Sequence, residues 1–328
     1  MSILRVGILG CGGIAARHAG AIAALPDTIR LVACCGRDAA KTAAFATQHG
    51  GHPFNDLDAM IDAGVDLIVV TIPPFARHGE VEQIAARGVH LLVEKPVALD
   101  MAAADRMVEA VEASGVVAAI GFMYRFGDAV RRWRELDTGP VGLYAGSYHC
   151  NALHADWWRT RSKSGGQVVE QLLHQIDLIR HLVGEPDTVY ARMATLFHGD
   201  TPDYDVEDVS AIMFGWNDGR IATLNASNIA VPGLWYKDWN IFAERMTGRF
   251  TSWNDAVLTR TDRSGAGEAI TGPTDPFVAQ IADVADAITA QRPPHVPLRE
   301  GAASLRLALA AVRSAREGCE VRLDDVRS

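Results

Sequence analysis

The sequence predicts an α/β fold in two parts: a doubly wound parallel sheet at the N-terminus, then a second α/β domain built on a mostly antiparallel, open sheet. Three observations carry this reading. The apolar run Val6, Gly7, Ile8, Leu9 ends in the glycine-rich turn Gly10-Cys11-Gly12-Gly13 and passes directly into a helical stretch from Ile14. Strand and helix signals alternate to about residue 120, the rhythm of βαβ units. After that the apolar runs lie closer together and Asn217-Asp218-Gly219 separates two of them, which is a hairpin signal. A length of 328 residues favours two domains, placed at 1–121 and 122–328.

The elements follow in order. Residues 4–9 form the first strand, and the helix from Ile14 follows its glycine turn. Residues 29–35 form an apolar strand, and 38–48 a helix with alanines and Phe45 on its apolar side. Residues 66–70 make the continuous apolar strand of a sheet covered on both faces. Thr71-Ile72-Pro73-Pro74 ends it, and a helix is expected over 76–87, closed by Gly88. Residues 89–93 and 116–120 are strands on either side of a helix capped by Asp100. In the second half, helices are expected at 129–136 and, unbroken, at 168–183. Strands are expected at 143–151, 189–197, 209–216 and 220–227, with weaker ones to about 258. Two terminal helices, 276–290 and 301–316, flank Gln291-Arg292-Pro293-Pro294.

The formal charge of −9 argues against nucleic acid or an anionic membrane surface as the main partner. No apolar run approaches the ~20 residues of a membrane span, and the chain Met1-Ser2-Ile3-Leu4-Arg5 enters a strand without a leader. Cys11, Cys34, Cys35, Cys150 and Cys319 have no metal-like spacing and read as reduced cysteines of a cytoplasmic protein. No metal is expected.

The glycine turn is an anion site in prospect. Helix-start N–H groups lack intrahelical partners and the helix dipole favours negative charge there. Gly10 and Gly12 permit a tight turn and close approach to a pyrophosphate, Gly13 and Ile14 open the helix, and small Ala15 fills the third position of G-x-G-x-x-G/A. Glu94-Lys95-Pro96 follows a strand, so Lys95 falls at the carboxyl edge of the sheet, where ligands bind. An ammonium there can stabilise charge on a substrate oxygen. Pro96 restricts Lys95 and allows a cis peptide. Further on, Gly165-Gly166 precede Glu170 and His174, four apart on one helical face, a carboxylate–imidazole pair suited to a general base, with Asp177 near them. Asp156-Trp157-Trp158-Arg159 suits a sugar, the rings for its apolar faces and Arg159 for hydroxyls or carboxylates. In an extended segment the two tryptophans point to opposite sides. Tyr124, Arg125 and Asn151 are further pocket candidates.

These motifs, in this order and together with Thr71-Ile72-Pro73 and His78, resemble the glucose–fructose oxidoreductase/inositol dehydrogenase (Gfo/Idh/MocA) family over nearly the whole chain. The resemblance implies a Rossmann domain, a C-terminal domain whose open sheet mediates a homodimer or homotetramer, and NAD(P)-dependent oxidation or reduction of a sugar, polyol or related alcohol. It matches Lys95 to the E-K-P lysine and His174 to the residue exchanging a proton with the reacting hydroxyl. It places Thr71, Ile72, Pro73, His78 and Glu94 by the cofactor. Glu170 stands where many members carry aspartate, which marks a glutamate-bearing G-G-Q-x-x-E-Q branch. NADP is expected over NAD, because the second strand ends Cys34-Cys35-Gly36-Arg37 with no acid for the ribose hydroxyls, while Arg37 can face a 2′-phosphate. The counter-reading turns Asp38 towards the ribose. Two alternatives share the fold: a non-catalytic dinucleotide-dependent regulator, and a redox-assisted glycosidase.

Overall fold

The computed structural model describes residues 3–151, 153, 155–262 and 265–326. Met1 and Ser2 lie outside the described residues. The chain divides into two compact units. One runs through Met123 and takes up Asp275–Ala302; the other holds Tyr124–Thr274 and the chain from Ala303 on. The boundary expected after residue 121 lies two residues from this first change of unit. Assigning all of 122–328 to the second domain does not hold, because the segment Asp275–Ala302 belongs to the first unit.

The first unit runs β1 (Leu4–Leu9), α1 (Gly13–Ala23), β2 (Ile29–Cys35), α2 (Ala39–His49), β3 (His52–Phe54), α3 (Leu57–Asp62), β4 (Leu67–Val70), α4 (Glu80–Ala86), β5 (His90–Val93), α5 (Met101–Ser114) and β6 (Ala118–Ile120). All six strands pair in parallel, in the order β3-β2-β1-β4-β5-β6. That order reverses between β1 and β4, which makes their carboxyl ends the crevice of the sheet. Val69, Val70, Leu91, Leu92 and Val93 are fully buried, as a sheet covered on both faces requires. Asp38, Asp56 and Asp100 cap α2, α3 and α5 by accepting a backbone N–H each. The helix expected over 76–87 is shorter: a single 3-10 turn at Pro74–Ala76 is separated from α4 by Gly79, whose φ of 123° no helix accommodates.

The second unit contains α6 (Asp128–Glu135), β7 (Val141–His149), α7 (Arg161–Ser164), α8 (Gln167–Glu170), α9 (Leu173–Leu182), β8 (Thr188–Ala194), β9 (Val209–Gly215), β10 (Ile221–Ser227), β11 (Tyr236–Ala243), β12 (Met246–Phe250), β13 (Asp255–Arg260) and β14 (Glu268–Thr271). The C-terminal part adds α10 (Pro276–Ala290), α11 (Leu298–Glu317) and β15 (Val321–Arg322). Of these, α10 and the start of α11 lie in the first unit. Phe277, Ile281, Val284 and Ala285 of α10 are buried in one cluster with Ala15, Ala19 and Ile22 of α1.

The nine-stranded sheet has the order β14-β13-β12-β11-β7-β10-β9-β8-β15. Only β7 and β10 are parallel; the other pairs are antiparallel. The hairpin expected at Asn217-Asp218-Gly219 joins β9 to β10, with Gly219 at φ 91°. One face of the sheet is covered: Gln175 of α9 accepts from the Tyr144 hydroxyl, and Ser314 of α11 accepts from the Ala191 N–H at 3.0 Å. The other face is open. Across β11, β7 and β10 it carries Phe242, Leu143 and Ile221 side by side, each exposed.

The helix expected over 168–183 is interrupted. The N–H groups of both Gln171 and Leu172 bond to the Gln167 carbonyl, the latter at 3.2 Å, and α9 restarts at Leu173. The 172-to-167 bond is a five-residue closure, a π-type bulge, which is frequent at functional sites.

Candidate active site

The first unit presents its glycine turn at the crevice end of the sheet. Gly10 adopts φ 100°, and a Cβ there would meet Ile72 at 2.9 Å, so only glycine fits. Thr71 braces the turn from β4, its hydroxyl donating to the Gly10 carbonyl at 2.8 Å. Gly12 and Gly13 are exposed with nothing within 4 Å of a would-be side chain, which leaves the start of α1 open. An open helix start behind a glycine turn is the donor set a pyrophosphate requires, so these residues fit a dinucleotide. Ile14 is half-buried and packs against the core.

At the end of β2, Gly36 occupies the place of an acidic residue, and a Cβ there would meet Thr42 Oγ1 at 2.6 Å. Arg37 is exposed. Asp38 accepts the Lys41 N–H at 3.0 Å as the cap of α2, so its carboxylate is already engaged.

The loop after β5 is held by a residue that sequence reading passed over. Arg77 is buried and donates to four carbonyls: Ile72 at 3.0 and 3.2 Å, Glu94 at 2.8 Å, Pro96 at 2.5 Å and Val97 at 2.9 Å. Burial lowers its guanidinium to about 10, opposed by Glu94 and Glu80. The guanidinium thus ties the loop after β4 to both sides of Lys95. Lys95 is half-buried and its bond to Pro96 is cis. Glu94 is buried. One carboxylate oxygen lies 2.7 Å from His18 Nε2 of α1, and the other accepts the Lys95 N–H at 3.2 Å. Its role is to fix the backbone of Lys95. A Cβ on Gly121 would come within 3.0–3.1 Å of that carboxylate, which explains the glycine. Pro73 is half-buried, and His78 is exposed with its N–H bonded to Glu80 at 2.6 Å.

In the second unit, the Tyr124 ring stacks on the His174 ring at 4.5 Å with 11° between planes, and it leans on Trp253 at 4.6 Å. Tyr124 is 1% exposed, its hydroxyl has no hydrogen-bond partner among the described residues, and burial pushes the phenol well above its usual value. Glu170 is buried at the end of α8, just before the bulge. The bulge lies between Glu170 and His174, so the regular four-residue spacing does not describe their geometry.

Arg125 is a correction. It was expected in the pocket, yet it is buried and bound through two nitrogens to Asp177, at 2.6 and 2.9 Å. Asp177 is fully buried and also accepts from Ser304 at 3.3 Å. The pair builds the core beneath α9. Asn151 accepts the Leu153 N–H at 3.2 Å. Arg159 pairs with Asp156 at 3.3 Å and donates to the Leu153 carbonyl. Trp157 and Trp158 do not alternate as in an extended segment: Asp156–Arg159 is a 3-10 turn, and the rings meet edge to face at 5.9 Å.

A groove of about 730 Å³ also opens in the first unit, lined by His90, Val111, Ala118, Ile288 and Arg292. It lies at the amino ends of β5 and β6, opposite the glycine turn, and has no part in the chemistry above.

Comparison with known proteins agrees with the geometry. The oxidoreductase family with an NAD-binding Rossmann fold matches residues 4–122, and the GFO/IDH/MocA C-terminal domain matches residues 128–247. The chain belongs to the Gfo/Idh/MocA family. Among Gfo/Idh/MocA relatives, inositol 2-dehydrogenase of Rhizobium meliloti is 28% identical, over 98% of this chain and 99% of its own. D-xylose 1-dehydrogenase (NADP(+)) 2 of Haloferax volcanii is 24% identical over 97% of this chain and 99% of its own. A structure of levoglucosan dehydrogenase with NADH and levoglucosan superimposes with a TM-score of 0.90, covering 98% of this chain and 100% of that one, at 20% identity. That likeness shows the fold.

Proposed function

We propose that this Gfo/Idh/MocA protein is an NADP-preferring dehydrogenase or reductase of a sugar, polyol or related alcohol. The bound nicotinamide supplies or accepts the hydride. The chain's own residues do the rest. Gly10, Gly12 and Gly13 leave backbone N–H groups open for the pyrophosphate. Lys95 stabilises negative charge on the reacting oxygen, and His174, held flat against Tyr124, takes the hydroxyl proton in oxidation and returns it in reduction. Glu170 orients His174 or the substrate.

The observation that carries the reading is the anchoring of Lys95. Three neighbours that are not themselves reactive, Arg77, Glu94 and His18, fix its backbone, an investment expected of a residue whose position matters. NADP is supported by Gly36, the exposed Arg37 and the capping role of Asp38. The exposed row Phe242, Leu143 and Ile221 supports a homodimer or homotetramer through the open sheet face. The free cysteines, with Cys34 and Cys35 buried in β2, fit a reducing compartment such as the cytoplasm.

The test is an absorbance screen at the reduced-nicotinamide band with sugars, inositols and sugar acids, both cofactors and both directions. Lys95→Ala is expected to fold and bind cofactor while losing turnover. Near wild-type turnover by that variant would refute the assignment.

A further inference from the structure

The half-buried ring of His174 ends a run of aromatic contacts within the second unit. It lies parallel to Tyr124 at 4.5 Å, with 11° between planes. Tyr124 leans on Trp253 at 4.6 Å and lies parallel to Trp239 of β11 at 6.5 Å and 12°. Phe250 of β12 stacks on Trp239 at 5.0 Å, and Trp133 of α6 meets Phe250 edge-on at 5.9 Å. Tyr124, Trp239, Phe250 and Trp133 are between 1% and 3% exposed. Gly248 makes the room, since a Cβ there would meet Phe250 at 2.6 Å and Trp133 at 2.8 Å. The phenol beside His174 is thus held from behind by two strands and a helix.

Hydrogen bonding does not account for the choice of these rings. The Tyr124 hydroxyl and the Trp239 indole N–H are buried and have no hydrogen-bond partner among the described residues. A buried donor left unmade is costly, and phenylalanine would fill much of the same space without that cost. What phenol and indole offer beyond packing is a strongly negative π face. At 124 that face meets an imidazole, a ring that becomes a cation when it takes a proton.

We propose that Tyr124 is a positioning residue whose π face stabilises the protonated form of His174. The inference rests on the dehydrogenase reading above and deepens its account of His174: in oxidation, the substrate's O–H bond breaks towards the imidazole, and the face of Tyr124 favours the imidazolium that results. The 4.5 Å separation lies inside the ~6 Å range of cation–π attraction. Burial of the phenol keeps water from screening it. Other titratable groups lie around the stack: Glu170 of α8, Tyr148 and Cys150 of β7, Lys237 of β11, and the Arg125–Asp177 pair beneath α9. A change confined to the ring at 124 leaves all of them in place, so the part played by the π face can be read apart from theirs.

The experiment uses the full chain with NADP⁺ bound. Tyr124→Phe is made with a plain ring and with rings carrying one, two or three fluorines, which drain the π face at nearly constant shape. Tyr124→Leu removes the face altogether. The proton affinity of His174 is read by NMR titration of isotope-labelled histidines, its signal being the one missing from His174→Gln. kcat and KM for oxidation are measured with the best substrate of the absorbance screen. Tyr124→Phe is expected to keep most of the proton affinity. Fluorination lowers it stepwise, to about tenfold with three fluorines, and Tyr124→Leu lowers it by a similar amount. kcat falls in step, while KM changes less than about threefold. A proton affinity indifferent to fluorine content overturns the proposal, even where Tyr124→Leu loses turnover, because a packing role moves that variant alone. Fluorination that lowers proton affinity and leaves kcat unchanged overturns the role in proton transfer. A stepwise titration without turnover of any sugar upholds the action of Tyr124 on His174 and removes the dehydrogenase reading. If Tyr124→Leu does not fold, the fluorinated series decides alone.

Discussion

Replacing Arg77 with lysine keeps the charge and removes the fork. The guanidinium serves four buried carbonyls, those of Ile72, Glu94, Pro96 and Val97. An ammonium has three donors on a shorter reach, so at least one carbonyl is abandoned. One abandoned buried acceptor costs about 1–3 kcal/mol, and weaker bonds at the others bring the loss to about 2–4 kcal/mol. For a unit of this size that lowers the melting temperature by about 4–16 °C. The chemical consequence comes through Lys95, whose flanking carbonyls are released. A displacement near 1 Å at a reacting group costs on the order of 100-fold, so kcat should fall about 10- to 100-fold. Cofactor affinity draws chiefly on the backbone N–H groups of the glycine turn, which Arg77 touches only through Ile72, and should fall less than kcat. The assays are a thermal melt, a cofactor titration and steady-state kinetics on Arg77→Lys. A variant that melts like wild type and keeps kcat within about a factor of two would refute the clamp.

Two further outcomes can be checked directly. Arg37→Ala should weaken NADP binding about 10- to 100-fold, the worth of a charge-assisted contact, and leave NAD almost unchanged; an equal effect on both cofactors would refute the role of Arg37. Burial disfavours the charged form of Asp208, but the N–H groups of Leu196, Phe197 and His198 bond its carboxylate and hold its pKa below the usual value. The stability this adds is fully present above about pH 4, the unfolded value, and is lost as pH falls through the lowered native pKa. Asp208→Asn should therefore flatten the acid limb of the stability curve, read by melts between pH 2 and 6; an unchanged slope would refute the coupling.

Local signals were legible where local physics decides. The glycine turn after β1, the cap Asp100, the Asn217-Asp218-Gly219 hairpin and the span of α10 are all written in neighbouring residues. Lys95 and His174 stand in local motifs, which is why the sequence singles them out as candidates. Arg77 was not, since an arginine in an apparent surface helix gives no sign that its acceptors lie 17 to 20 residues later. The bond of Glu94 to His18 was hidden for the same reason, the two being 76 residues apart. The break between α8 and α9 follows from a hydrogen-bond shift that helical periodicity does not reveal. The membership of α10 in the first unit had no signal in its own amphipathic pattern, which says that a face is buried but not against what.

That membership bears on how the molecule is made. The first unit opens the chain, yet Phe277, Ile281, Val284 and Ala285 complete its core around α1. A nascent chain that has emerged only through β6 presents Ala15, Ala19 and Ile22 to water, and the second unit's segment Tyr124–Thr274 must be synthesised before α10 arrives to cover them. The earliest part to be translated is thus completed late, its closure requires contacts across more than 250 residues of sequence, and slow loop closure of that kind is where exposed apolar surface lingers. A fragment cut at the apparent end of the nucleotide-binding half would carry the glycine turn intact and lack the helix that seals its core.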